Sequence, residues 1–208
     1  MTLIEPSVTL EWITPNAVEM IERAGRTSYK SEDLITPESG EVFVEKLNRL
    51  GHHSVLEHAV ASLRFITDRG ISHEMVRHRI ASYTQESTRY VNYCKDKHGG
   101  GDIKFIPPLC CASSPEKLAF AEHAFRMEQD IYNDAIAMGF TPQEARDFLP
   151  NGVKTEIVMT CNFREWLHFL ALRTNKAAHP KMRVVAGMAG DLLAQACPVV
   201  LGQYLKEE

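Results

Sequence analysis

His58-Ala59-Val60-Ala61-Ser62-Leu63-Arg64-Phe65-Ile66-Thr67 puts Ala59, Ala61, Leu63 and Phe65 on one side of an extended chain. That alternation has the two-residue period of a strand with one buried face. Asp68-Arg69-Gly70 reads as a turn, and Ile71, Met75 and Val76 then recur at helical spacing, so a short helix leads into Arg77. Working outward, Val8–Ile13 and Val153–Thr160 also alternate and read as strands.

Between the strands lie helix signals. Thr14-Pro15-Asn16 opens one helix, with Pro15 at its start and Val18, Ile21 and Ala24 on one face. Thr36-Pro37-Glu38 opens a second, which carries Phe43, Leu47 and Leu50 and stops at Gly51. Ser113-Ser114-Pro115-Glu116 combines a capping box with a helix-start proline, and the helix behind it reaches Gly139. Thr141-Pro142-Gln143-Glu144 repeats that chemistry for a short helix ending before Pro150. Asn162 caps a helix to about Arg173, and a last helix fills much of Arg183–Leu205. Few strands and long helices predict an α+β fold: a single domain over residues 1–208 with a small, mostly antiparallel sheet flanked by long helices.

Bulk composition narrows the function classes. A formal net charge of −4 argues against broad nucleic-acid binding. No apolar run is long enough for a membrane span, and Met1-Thr2-Leu3-Ile4-Glu5-Pro6 lacks the basic and apolar regions of a signal peptide, so a cytoplasmic location is expected. The five cysteines, Cys94, Cys110, Cys111, Cys161 and Cys197, form no Cys-x-x-Cys pair and read as reduced thiols. The glycines at 99–101 are followed by neither a helix nor a suitably placed lysine, so they make a flexible loop and not a phosphate cradle.

Arg77-His78-Arg79-Ile80-Ala81-Ser82-Tyr83-Thr84-Gln85-Glu86-Ser87-Thr88-Arg89-Tyr90 carries the chemistry. Three arginines, a histidine and several hydroxyls, with no lysine, suit an anionic hydrogen-bonding ligand such as a nucleotide, because the guanidinium fork matches phosphate oxygens. From Arg64 to Tyr90, five arginines face three acids in an otherwise acidic chain, which focuses a small anion. A metal reading of His73-Glu74-Met75-Val76-Arg77-His78 fails on spacing. Histidines five apart on a helix diverge by roughly 140°, so no metal is expected there. On the helix behind Asn162, Phe163, Trp166, Leu167 and Leu170 form an apolar stripe, while Arg164 and His168 share a polar face. Arg173 projects to the edge of the stripe, where it must snorkel to water or find a buried anionic partner.

The order Arg77-His78-Arg79, seven residues, then Ser87, continuing to Arg89-Tyr90, resembles the signature of the flavin-dependent thymidylate synthases. Gly51-His52-His53-Ser54-Val55-Leu56-Glu57-His58 resembles an upstream element of that family, and Asn162-Phe163-Arg164 through Leu172-Arg173 a downstream one. The resemblance implies reductive methylation of deoxyuridylate (dUMP) to thymidylate (dTMP). Methylenetetrahydrofolate would be the carbon donor, FAD the hydride carrier and NADPH the reductant, with no cysteine nucleophile. It implies flavin contacts from His52, Ser54, Arg77, His78, Arg79, Gln85, Asn162, Arg164 and His168. It implies nucleotide contacts from Arg77, Gln85, Glu86, Ser87, Thr88, Arg89, Arg146 and Arg173, with Arg173 stabilising charge on the uracil ring. It further implies a homo-oligomer, a homotetramer, whose sites are shared between chains.

Several positions depart from the family pattern. Gln85 stands where many members carry glutamate, Glu74 where glutamine is frequent, and His168 where asparagine is. Ala178-His179-Pro180-Lys181-Met182-Arg183 also differs from the usual sequence there, which marks a divergent branch. Two other classes remain open at this stage: a flavoenzyme methylating a uracil ribonucleotide, and a non-catalytic nucleotide-binding regulator.

Overall fold

The computed structural model describes residues 1–204. In chain order the elements are β1 (Thr2–Leu3), β2 (Ser7–Ile13), α1 (Ala17–Thr27), α2 (Ser39–Arg49), β3 (Val60–Asp68) and α3 (Arg69–Met75). There follow β4 (Ser82–Gln85), β5 (Lys104–Phe105), α4 (Pro115–Ala137), α5 (Pro142–Ala145), β6 (Lys154–Asn162), α6 (Phe163–Arg173), α7 (Pro180–Ala196) and α8 (Pro198–Leu201). The class is α+β, as expected. A four-stranded sheet runs β2-β3-β6-β4, and β1 and β5 form a separate parallel pair with Thr2 opposite Lys104. β3 and β6 are antiparallel: the Phe163 amide donates to Ala59, Thr160 Oγ1 to Ser62 Oγ, and the Arg69 amide to Val153, so partner numbers fall as the strand advances.

The chain divides into two compact units, between which it passes repeatedly. One comprises Met1–Ser7, Ile66–Arg77 and Thr84–Ile157. Its core gathers Tyr93, Ile103, Phe105, Tyr132, Ala135, Ala145 and Val153. Phe105 stacks on Phe125 at 4.6 Å and Tyr93 meets Tyr132 edge-on at 5.7 Å. Its long helix, α4, starts where Ser114 accepts the Lys117 amide and ends before Gly139, whose positive φ of 97° closes the helix end at little steric cost.

The other unit comprises Val8–Phe65, His78–Tyr83 and Val158 onward. Ala59, Ala61, Leu63 and Phe65, the stripe read from the sequence, are wholly buried. Trp166 and Phe169 of α6 pack on Phe65, and the Trp166 indole donates to the Ala61 carbonyl at 3.1 Å, so the largest buried ring keeps its polar handle satisfied. α6 itself starts where Asn162 Oδ1 accepts the Glu165 amide, the cap the sequence predicts.

Several local expectations are corrected. Asp68-Arg69-Gly70 is no turn: β3 runs straight into α3, because the Asp68 carboxylate caps the helix by accepting the Ile71 amide at 2.8 Å. Pro15 lies before α1 and not at its start, since Asn16 takes a left-handed conformation (φ 51°) ahead of Ala17. The last long helix starts earlier, at Pro180, and stops at Ala196; Pro198 opens a separate turn, having no amide to continue the ladder. Leu205, the end of that expected helix, lies outside the described residues.

Candidate active site

α6 carries Glu165, Phe169 and Arg173 at every fourth position, so a carboxylate, a ring and a guanidinium line one face of the helix. His78 lies along that face. Its Nδ1 is 3.1 Å from Glu165 Oε1, its ring meets Phe169 edge-on at 5.0 Å, and its Nε2 is 2.9 Å from Arg173 Nε. Arginine only donates, so Nε2 holds a lone pair and the ring proton sits on Nδ1, donating to Glu165. Glu165 is 7% exposed and His78 5%. Burial lowers the His78 pKa, the Glu165 hydrogen bond opposes this, and the Arg173 charge lowers it further; the net direction is downward, toward neutral imidazole. The first turn of α6 supplies partial positive charge to the buried Glu165 carboxylate. Tyr83 of β4 donates its hydroxyl to the His78 carbonyl at 2.9 Å.

Arg173 thus does not simply snorkel to water. At Nε its partner is a neutral imidazole that passes the interaction to Glu165. The pattern did not single out Glu165. Three residues after an N-cap asparagine, an acid reads as a solvated first-turn charge, and only the fold turns it inward. His78, Glu165 and His168 hold ligating atoms within 4.8 Å of one another, a donor set that could take a metal ion. The Arg173 cation bonded to the same imidazole works against a dication there.

The same unit joins the other sequence elements. Arg164, exposed, pairs with Glu57 of the Gly51–His58 element. His52, Ser54, Arg79 and His168 are also exposed. His53 is structural, with Nε2 3.3 Å from the Asn48 carbonyl. Asn162 spends its oxygen on the α6 cap, leaving its amide as a donor. Exposed guanidinium, imidazole and hydroxyl groups form a donor set that fits an anionic, hydrogen-bonding dinucleotide.

The remaining expected residues belong to the first unit. Gln85 points its amide at Ser72 Oγ (2.8 Å) and Thr155 Oγ1 (3.1 Å), so its donors are spent on scaffold. Glu86 accepts from Lys154 at 3.0 Å and Tyr93 at 3.1 Å. Burial works against the Lys154 ammonium, but hydrogen bonds to Glu156 and Glu86 outweigh it and hold its pKa above the usual lysine value. Burial first, then Glu86, raises the Tyr93 pKa, keeping it a donor. Thr88 is buried, Ser87 Oγ accepts the Arg89 amide, and Arg77, Arg89 and Arg146 are exposed. The structure therefore gathers the expected residues into two groups, one per unit, and gives Gln85 and Glu86 structural partners that the sequence did not reveal.

A family model described as thymidylate synthase complementing protein matches residues 9–199. A flavin-dependent thymidylate synthase of Geobacter sulfurreducens is 35% identical over 196 residues, covering 90% of this chain and 82% of that protein. One from Thermococcus onnurineus is 34% identical, covering 86% and 75% respectively. Among solved structures, a UMP/dUMP methylase, PolB, from Streptomyces cacaoi, bound with 5-Br dUMP, superposes with a TM-score of 0.82. It is 22% identical and covers 98% of this chain and 96% of its own, a likeness of fold.

Proposed function

The chain belongs to the thymidylate synthase complementing protein family, and from that premise we propose that it converts dUMP to dTMP by reductive methylation. Methylenetetrahydrofolate gives the carbon and leaves as tetrahydrofolate, NADPH supplies the reducing equivalent, and the C5 proton of uracil is lost. FAD, when bound, supplies hydride transfer. The observation that carries the reading is Arg173 held at Nε by a neutral His78. Uracil C5 is a weak nucleophile, and a fixed guanidinium polarises the ring without a covalent bond.

The cysteines support a route without a thiolate. Burial raises the pKa values of Cys161 and Cys197, and also that of Cys94, which leaves poor nucleophiles. For flavin we assign His52, Ser54, Arg77, His78, Arg79, Gln85, Asn162, Arg164 and His168. For the nucleotide we assign Arg77, Gln85, Glu86, Ser87, Thr88, Arg89, Arg146 and Arg173. Gln85 acts through its oxygen, because its amide donors are taken. Glu86 acts chiefly by holding Lys154.

The family match runs across residues 9–199 without a break, which supports reading the chain as one functional domain. A homotetramer with shared sites is supported by α4, whose Phe120, Met127 and Ile131 lie exposed on one face, Phe120 at 75%. No described helix is long and apolar enough to cross a membrane, and the cysteines are free thiols, which supports the reducing cytoplasm. The test is one absorbance series on purified protein. A flavin spectrum should bleach with NADPH and return when dUMP and methylenetetrahydrofolate are added, with dTMP formed. Equal turnover of UMP would move the assignment to a uracil-ribonucleotide methylase, and nucleotide binding without flavin turnover to a regulator.

A further inference from the structure

We propose that Glu165 is a positioning residue for Arg173, acting through the imidazole of His78; the proposal rests on the reading of Arg173 as the group that polarises uracil. Each proton in the relay is assigned by chemistry. Arg173 Nε–H can only donate, so His78 Nε2 must accept, so His78 Nδ1 must carry the proton, and Glu165 Oε1 receives it. The bond uses Nε, the donor nearest the arginine stem, and therefore fixes the plane of the guanidinium and not merely its position. Helix geometry supports the alignment. Side chains lean toward the helix N-terminus, so Arg173 reaches back along the face that Glu165 and Phe169 also occupy.

The imidazole has little freedom to turn. Phe169 and His168 meet its ring edge-on at 5.0 and 5.4 Å, and Tyr83 holds its carbonyl. Without the Glu165 oxygen, Nδ1–H is a buried donor with its acceptor removed. The ring then moves its proton to Nε2 and faces Arg173 Nε–H donor to donor. The Arg173 Nε–H then lacks its acceptor, and preorganisation at that donor is lost while the cation remains. Protonation of His78 breaks the relay in the same way. The charged or titratable groups facing that ring are Glu165, His168 and Arg173 from α6 and Tyr83 from β4.

Long-range nitrogen-15 NMR on flavin-loaded protein without substrate tests this. Wild type should show His78 protonated at Nδ1 and bare at Nε2, with a protected Arg173 Nε–H signal. Glu165→Leu should shift the tautomer toward Nε2–H and lose that signal. Its kcat for dTMP should fall on the order of tenfold, with flavin content and the KM for dUMP nearly unchanged. Glu165→Gln, whose amide oxygen still accepts, should recover part of both. An unchanged tautomer in Glu165→Leu overturns the proposal, as does a kcat loss matched by equal losses of flavin and thermal stability. Should Glu165→Leu fail to fold, wild type alone decides: the Arg173 Nε–H signal must move with the His78 titration, and independence of the two overturns the relay. Absence of dTMP formation in wild type would refute the functional reading while leaving the tautomer result to judge the relay.

Discussion

In the unit holding α6, polar groups run as a chain from Glu165 through His78 to Arg173, whereas in the other unit the groups around Thr155 and Glu86 close on one another. Arg69 and Gln85 both reach Thr155 Oγ1, Gln85 also reaches Ser72, and Lys154 sits between Glu86 and Glu156. Each of these contacts joins two parts of the scaffold. The chain in the unit of α6 instead reaches a half-buried guanidinium at the last residue of a helix. A closed cluster holds backbone segments in place, and a chain that reaches a cation orients it at the bonded nitrogen. The contrast predicts that damage to the first costs rate and damage to the second costs stability.

The sharpest attempt to break that division is Arg173→Ala. Turnover should drop about a hundredfold, roughly 3 kcal/mol, with flavin retained. Tritium release from 5-labelled dUMP reads it, and a near-normal rate removes Arg173 from the chemistry. Arg173→Lys should also be poor, because lysine lacks the planar fork.

Lys154→Met probes the closed cluster. It strips the cation from Glu86 and Glu156, so unfolding in urea should show a loss of about 2 kcal/mol, since breaking a partly buried pair strands its carboxylates. The rate per folded, flavin-loaded molecule should change little. A large rate loss without a stability loss would dissolve the comparison.

The smallest effect is in pH. The folded pKa of His78 is lowered from about 6.5, so the native state binds fewer protons than the unfolded state in that range. Its contribution to stability is fully present above pH 6.5 and falls as pH drops through the lowered folded value. The slope can reach no more than about 1.4 kcal/mol per pH unit, the limit for one proton. The wild-type slope below pH 6.5 should exceed that of His78→Gln; equal slopes would show that His78 is not held neutral.

Much of the fold was legible because its signals are local. Alternation marked β3 and most of β6, and the side chain of Asn162 caps the helix it was read to cap. Thr141 and Glu144 form the expected capping box, whereas α4 is capped by Ser114 with Lys117 and not by a box with Glu116. β4 was not legible. Ser82-Tyr83-Thr84-Gln85 is short and polar, and it is a strand because β6 supplies its hydrogen-bonding edge. β1 and β5, two residues each, are defined only by pairing across about half the chain. Pro198 carried a breaking signal that the apolar pattern on both sides masked.

The candidate site divides the same way. The candidate residues of Arg77–Tyr90, Gly51–His58 and Asn162–Arg173 were legible by type and order, and those belong to sequence. Which of them touch was decided by tertiary structure. Glu165 meets His78 across 87 positions and Arg173 meets it across 95. No periodicity spans such a distance. A side chain's type fixes what it can donate or accept, but only the packed fold fixes which partner stands opposite, and so whether Glu165 is a solvated first-turn acid or the anchor of a guanidinium.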